Sequence, residues 1–520
     1  MTTFAEPTSD TLHERHRRHH LAHGSLNHLE VFAQSLAATG PSIAIAGTIP
    51  VAYLIAGDGT VWSFVIGTVI VLLASHSVAQ FARRAASTGS LATYAASGLG
   101  PTAGFTAAWA LVLGYLGIAA ATTTGAVIYG GAFLDSIGVT ISGTGVTLLL
   151  LLLAAAIGAY FPFRGVRLST RAAIIFEVAS LIAIVAVLVV TLVHVGFSVD
   201  GAQLRAHGST ISDISVAAVL AAAAFVGFES SSSLGAEARH PFRAVPRAIL
   251  LTVLGAGILY VISSYIQVLG YKSVTTPLAE TSSPLNALAA QAGVSWLGSI
   301  VDLGIVVSAL ACTTASLNAA SRLLFNLGRE QVLPVRLGDA HHRHQTPHVA
   351  LAILTPVIFL IPAVLVLVGA DLLDIFGWVA TAATFGYLLA YLLVLLAAPR
   401  YLKRIGQPSA AVRITSILGI LGIAFVIYKN LVPVPAYPYS ILPYVFLGLL
   451  LVGLAWYAVI RRRSDRDPAS LGSLVVHAHE VADESSARDT VDLDAATAVD
   501  IGSLSESTQT VSAGPDGSSR

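Results

Sequence analysis

Two short stretches hold the residues best suited to chemistry. The first reads Thr39-Gly40-Pro41-Ser42 and lies inside an apolar run from Val31 to Ala56. Proline has no N–H and its ring clashes with the preceding turn, while glycine reaches backbone angles closed to other residues. A helix unwound here offers free N–H and C=O groups to a ligand; the plainer alternative is an ordinary proline kink. The second reads Phe225-Val226-Gly227-Phe228-Glu229, followed by Ser230, Ser231, Ser232 and Ser233, inside a run from Ile214 to Leu234. A carboxylate at the centre of a bilayer costs on the order of 3 kcal/mol, so such a residue faces a cavity or the protein interior. Glu229 is either part of a site or a hydrogen-bonded structural residue. The N-terminus of a half-helix carries unpaired N–H groups and the positive end of the dipole, which suit a carboxylate. Freed carbonyls suit an ammonium, so a zwitterionic amino acid matches both.

Other polar residues in apolar surroundings are fewer. Glu177 stands in Ile174-Ile175-Phe176-Glu177-Val178. Apolar neighbours disfavour its charged form, so it is a candidate, with Glu229, to carry a coupling proton; the alternative is a structural residue bonded to a neighbouring helix. His76 reads as a packing histidine, and Asp302 and His194 as solvated residues near one face. The single cysteine, Cys312, excludes an intrachain disulfide and a cysteine-based metal cluster. No metal-ligand spacing, nucleophile elbow or phosphate-binding glycine loop is present, so no cofactor, metal or enzymatic activity is expected.

The elements that position these residues follow from composition. The chain has 520 residues, is 55% hydrophobic and only 11% charged, with a mean hydropathy of +0.78. A soluble domain carries roughly 25% charge, so much of this surface faces lipid, and the zero net charge gives no case for nucleic acid. A crossing needs roughly 20 apolar residues for about 30 Å of hydrocarbon. The runs that qualify are Val31–Ala56, Val61–Phe81, Ala103–Leu134, Val146–Tyr160, Ala172–Val195, Ile214–Leu234, Ala248–Leu269, Trp296–Phe325, Val349–Val368, Leu372–Ala398, Ile414–Tyr428 and Ile441–Ile460. The expected fold is all-α and integral to the membrane, with about twelve spans, the fourth and eleventh short by this count.

Basic residues gather in every second loop: Arg83 and Arg84; Arg164, Arg167 and Arg171; Arg239, Arg243 and Arg247; Arg329, Arg336 and Arg343; Arg400, Lys403 and Arg404. Arg461, Arg462 and Arg463 follow the last run, and the intervening loops hold only Arg205, Lys272 and Lys429. The positive-inside rule then puts both termini in the cytoplasm of a multi-pass plasma-membrane protein. Three regions result: a polar, His-rich tail over 1–30, a transporter domain over 31–462, and an acidic tail over 463–520, poor in aromatics and expected to be disordered. The first tail reads as solvated rather than metal-binding.

The stretch FVGFESSSSLGAEARHPFRAVPRAIL, Phe225 to Leu250, resembles the sixth-helix signature of the amino acid–polyamine–organocation superfamily. Glu237, Pro241, Arg243, Pro246, Arg247 and Ala248 match in order. Ala82–Pro101 is similar to that family's loop between helices 2 and 3, Ser321–Pro334 to its exit from helix 8, and Thr346-Pro347-His348 to the start of its helix 9. The resemblance implies a five-plus-five inverted-repeat fold with two extra helices, alternating access, and substrate held at breaks in helices 1 and 6. Thr39, Gly40, Pro41, Ser42, Phe225, Gly227, Phe228, Glu229 and Ser230 would then line the site. Two departures stand out. The family's Gly-x-Gly in helix 1 is replaced by Thr39-Gly40-Pro41-Ser42, and the lysine that some proton-coupled members carry in helix 5 aligns with Ser180, leaving Glu177 one turn away as a substitute.

The expected function is proton-coupled uptake of an amino acid or related amine. A substrate/product exchanger, and a transport-dead membrane sensor acting through the acidic tail, are the alternatives. Neither an intramembrane carboxylate placed to read a cationic side chain nor an arginine placed to read an anionic one is evident, which favours a neutral substrate.

Overall fold

The computed structural model describes residues 24–140, 142–273 and 283–463, with residues 21, 281 and 476–477. The chain divides into two units, Met1–Val475 and Val476–Arg520. All the helices below belong to the first; of the His-rich tail only residues 21 and 24–30 are described, and of the acidic tail only 463 and 476–477, so the readings of the tails fall mostly outside the described residues.

The described helices are α1 (His28–Thr39), α2 (Pro41–Ala56), α3 (Thr60–Ala82), α4 (Ser90–Leu99), α5 (Pro101–Ser136), α6 (Thr144–Arg164), α7 (Val166–His194), α8 (Ile211–Ala223), α9 (Pro241–Tyr271), α10 (Pro284–Gln291), α11 (Ser295–Arg329), α12 (His348–Leu367), α13 (Leu372–Arg404), α14 (Ala410–Leu431) and α15 (Leu442–Arg463), with a single turn at Gly201–Leu204. Among the described residues, ten helical runs are long and apolar enough to cross a membrane. The first, His28–Ala82, takes in two of the twelve apolar segments of the sequence, and the sixth segment is interrupted after α8. Together they make an all-α membrane protein. The segments that look short by apolar count, the fourth and eleventh, are helices of 21 and 22 residues that borrow flanking polar positions. The stretch read as a loop between spans 2 and 3 contains α4, bounded by Gly89 and by Gly100-Pro101.

Side-chain polarity is inverted relative to a water-soluble bundle. On α7, Ile175, Val178, Ile182, Val185, Val189 and Val193 recur every three or four residues and are exposed. The opposite stripe, with Glu177, Ser180, Ile184, Val187 and Thr191, is buried. Three- and four-residue spacing defines one helix face, so α7 turns an apolar face outward and a partly polar one inward, as lipid demands. Helices five spans apart pack together: α3 on α9, α5 on α11, α6 on α12, and α2 on α8.

Candidate functional site

Local rules set both ends of the first break. Asn27 caps α1 by accepting from the Glu30 amide, and the Glu30 side chain accepts from the Asn27 amide in return, each at 2.9 Å. Gly40 ends the helix in the left-handed conformation (φ 58°, ψ 57°), its N–H bonded to Leu36 O at 3.0 Å. Pro41 then starts α2, where its missing N–H has no acceptor to lose. The interruption expected at Gly40-Pro41 is therefore present, and the Ser42 amide turns to a side-chain acceptor.

Glu177 of α7 meets this end. It is fully buried, and its Oε1 accepts from the Ser42 amide at 2.9 Å and the Ser42 hydroxyl at 2.8 Å. The Ser308 hydroxyl of α11 donates to Oε2 at 2.6 Å. The Ala38 carbonyl, freed by the break, accepts from Cys312 Sγ at 3.3 Å.

The second break follows α8. From Phe225 the chain proceeds through tight turns, with Phe225 bonded to Ala222, Val226 to Ala223, Phe228 to Phe225 and Ser230 to Gly227, and it resumes as a short 3-10 turn over Ser230–Leu234. Gly227 has φ 98°. A Cβ there would stand 2.6 Å from the Ala38 carbonyl oxygen, so only glycine lets the two breaks abut. Glu229, fully buried, accepts from the Tyr115 hydroxyl of α5 at 2.6 Å and from the Tyr391 hydroxyl of α13, which also receives the Gly227 amide at 3.3 Å. Phe225 packs against Tyr260 and Phe228 against Tyr391.

The serines bind the two broken spans together. Ser230 Oγ donates to Gln34 O at 3.0 Å, and the Ser231 amide donates to Ser35 Oγ at 3.1 Å. Ser232 and Ser233 bond back to Glu229 O and Ser230 O. The two stretches singled out in the sequence thus meet where Gly227 faces Ala38 O and where Ser230 and Ser231 bond Gln34 and Ser35, with Thr39, Pro41 and Ser42 all buried. Thr39 bonds within its own helix to Ser35 O.

Polar networks close both sides of the breaks. On the side of the arginine-rich loops, Arg322 and Glu237 form a fully buried pair at 2.5 and 3.1 Å. Arg322 also bonds Asn318, which donates to Gln34 and Ser169. Leu26 and Glu237 pair through their backbones, and Glu30 binds Arg171 at 2.7 Å. On the other side Lys272 lies between Asp58 at 2.5 Å and Asp200 at 2.6 Å. Burial pushes the Asp200 carboxyl up, but bonds from Lys272, Gln203 and Ala202 outweigh it and hold it below the ordinary carboxylate range. Asp302, read as solvated, is fully buried and accepts from Ser283 and Asn286.

Sequence reasoning missed Tyr115, Tyr391, Gln34, Ser308 and the Arg322–Glu237 pair. Their partners lie far away along the chain, and helix pairing leaves no local signal. Arg322 had one: a guanidinium inside an apolar run needs a partner.

An all-α membrane protein with its first and sixth spans broken against each other defines a transporter class. The amino acid permease family model matches residues 30–467, and the chain belongs to that family. It is 28% identical over 312 residues to "Branched-chain amino acid permease BcaP" of Bacillus subtilis, covering 57% of this chain and 65% of that protein. With an uncharacterised transporter of Mycobacterium tuberculosis it shares 26% identity over 426 residues, 80% of this chain and 86% of that one. With the "Low-affinity putrescine importer PlaP" of Escherichia coli it shares 26% over 294 residues, 55% and 63%.

Proposed function

We propose that the protein is a secondary transporter that takes up an amino acid or related amine across the plasma membrane, coupled to protons, by alternating access. The observation that carries this reading is the contact of the two breaks at Gly40 and Gly227, with one buried carboxylate bonded to each. Broken spans at corresponding positions of two halves are where transporters of this architecture hold substrate. The relatives' names, an amino acid permease and a putrescine importer, point to the same substrate range.

Substrate would seat among Thr39, Gly40, Pro41, Ser42, Phe225, Gly227, Phe228, Glu229 and Ser230. Glu177 ties the start of α2 to α7 and α11, and Glu229 ties span 6 to α5 and α13. A carboxylate only accepts, whereas a carboxylic acid also donates and accepts less. Protonation of either would therefore loosen a tie that must break when the halves rock. The arginine-rich loops and both termini would face the cytoplasm.

The test is uptake into proteoliposomes from a pool of labelled amino acids and amines, with and without an inward proton gradient. Accumulation that the gradient drives, and that Glu177→Gln or Glu229→Gln abolishes while exchange persists, is expected. Accumulation with unchanged pH dependence in both variants would refute proton coupling through these residues.

A further inference from the structure

We propose that the chain carries a site for an anionic phospholipid at the arginine-rich ends of α3, α13 and α14, where arginines from all three surround one turn. Three contacts step along the end of α3 and fix that geometry. Ser77 bonds Ser416 of α14 at 3.0 Å, Phe81 stacks on Tyr401 of α13 with ring centroids 4.8 Å apart, and Arg84 Nε donates to Gln407 Oε1 at 3.1 Å. Gln407 lies in the turn over 405–409 that joins α13 to α14. Arg404 ends α13 on one side of this turn, and Arg413 stands in the first turn of α14 on the other. Tyr401 lies beside both Arg84 and Arg404.

No carboxylate of the protein answers this charge. Elsewhere on the same face Arg167 and Arg171 share Glu30, and Arg322 has Glu237. Here Arg84 bonds only neutral oxygens, those of Gln80 and Gln407. Arg404 and Arg413 are exposed and make no hydrogen bond or ion pair among the described residues. The sequence holds no Asp or Glu over 59–134 or 375–464. On these three helices, therefore, the one carboxylate is Asp374, at the opposite end of α13.

Beside the cations the surface is apolar. Steps of four along α14 lead from Arg413 to Ile417 and Leu421, which are 52% and 61% exposed and share its face. On α13 the same step back from Arg400 reaches Leu396, also exposed. A surface charged at its end and apolar along its length fits an amphiphile. Guanidinium groups take the phosphate in paired hydrogen bonds, and the acyl chains lie along the two helices. Basic recesses between spans at this depth suit anionic headgroups. A soluble anion would meet the charges but leave the apolar stripe uncovered.

Native mass spectrometry of the purified full chain, titrated with phosphatidylglycerol or with phosphatidylcholine of the same acyl chains, tests the site. Phosphatidylglycerol should be retained about tenfold or more tightly, and it should raise the melting temperature where phosphatidylcholine does not. A surface cation contributes about fivefold. Arg404→Gln with Arg413→Gln should therefore weaken phosphatidylglycerol about twentyfold, at unchanged melting temperature without lipid. Arg243→Gln with Arg247→Gln removes the same charge from exposed positions on α9 and should leave retention within about twofold of the parent. Equal retention of the two lipids by the unaltered chain overturns the proposal. So does an equal loss in both double variants, which would mark a general attraction to the basic face. Glycerophosphate that displaces the lipid at equal concentration would show that the acyl chains add nothing, and would overturn it too.

Discussion

Replacing Arg322 by methionine strands the Glu237 carboxylate in the interior. The two side chains are 1% and 0% exposed and joined by two bonds, at 2.5 and 3.1 Å, and Arg322 supplies both of Glu237's side-chain bonds. Breaking a buried pair by removing one partner costs about 3–5 kcal/mol, because an uncompensated charge remains. Glu237→Leu should cost a similar amount, since a guanidinium stays charged at any working pH. The double variant leaves no charge behind. It loses only the two bonds from Arg322 to Asn318, at 2.9 and 3.1 Å and about 1 kcal/mol each. Its cost should therefore fall to about 2 kcal/mol, well below either single variant and several kcal/mol below their sum. Unfolding in mixed detergent micelles, followed by circular dichroism, measures all four proteins. Losses that simply add, or single variants that lose less than about 1 kcal/mol, would refute the account of this pair.

Gly227→Ala should destabilise the protein and abolish transport even though it adds one methyl, because φ 98° and the 2.6 Å approach to Ala38 O exclude any side chain; normal thermal stability and uptake would contradict this. Glu229→Gln keeps the size of the side chain and should lose proton-driven accumulation while substrate exchange continues, as read by counterflow. Asp200 titrates below the ordinary carboxylate range, so its contribution to stability is present above its unfolded value near 3.8 and disappears as pH falls through the lower folded one. Asp200→Asn should accordingly lower the melting temperature at pH 7 and make little difference in strong acid. Reporter fusions at Lys272 and Arg329 should sit on opposite sides of the membrane; the same side for both would break the assignment of spans.

The spans and both breaks were legible because they depend on local chemistry. Apolar runs of crossing length, Gly40-Pro41 and the Gly227-Phe228-Glu229 interruption each act through their own backbone. What the carboxylates bind was not legible. Glu177 reaches Ser42 across 135 positions of sequence and Glu229 reaches Tyr391 across 162, so only helix packing brings them together. Glu177 thus stands at the first break bonded by neutral donors from two other helices. Asp302 was misread in the same way, since its donors lie on and just before α10, a short helix outside the spans. The Ser230 hydroxyl is bonded to Gln34, a link between spans 1 and 6 that no periodicity reveals.

Cys312 offers the most direct test of where substrate sits. It is the chain's one thiol, and its sulfur donates to Ala38 O at the first break, beside Gly40. Its rate of alkylation by a small maleimide, measured in proteoliposomes, reports access to the site. If substrate seats at the breaks, a saturating concentration of any transported amino acid or amine should slow that alkylation severalfold, and a non-transported analogue should leave it unchanged. An alkylation rate indifferent to a substrate that the same vesicles accumulate would place the binding site elsewhere.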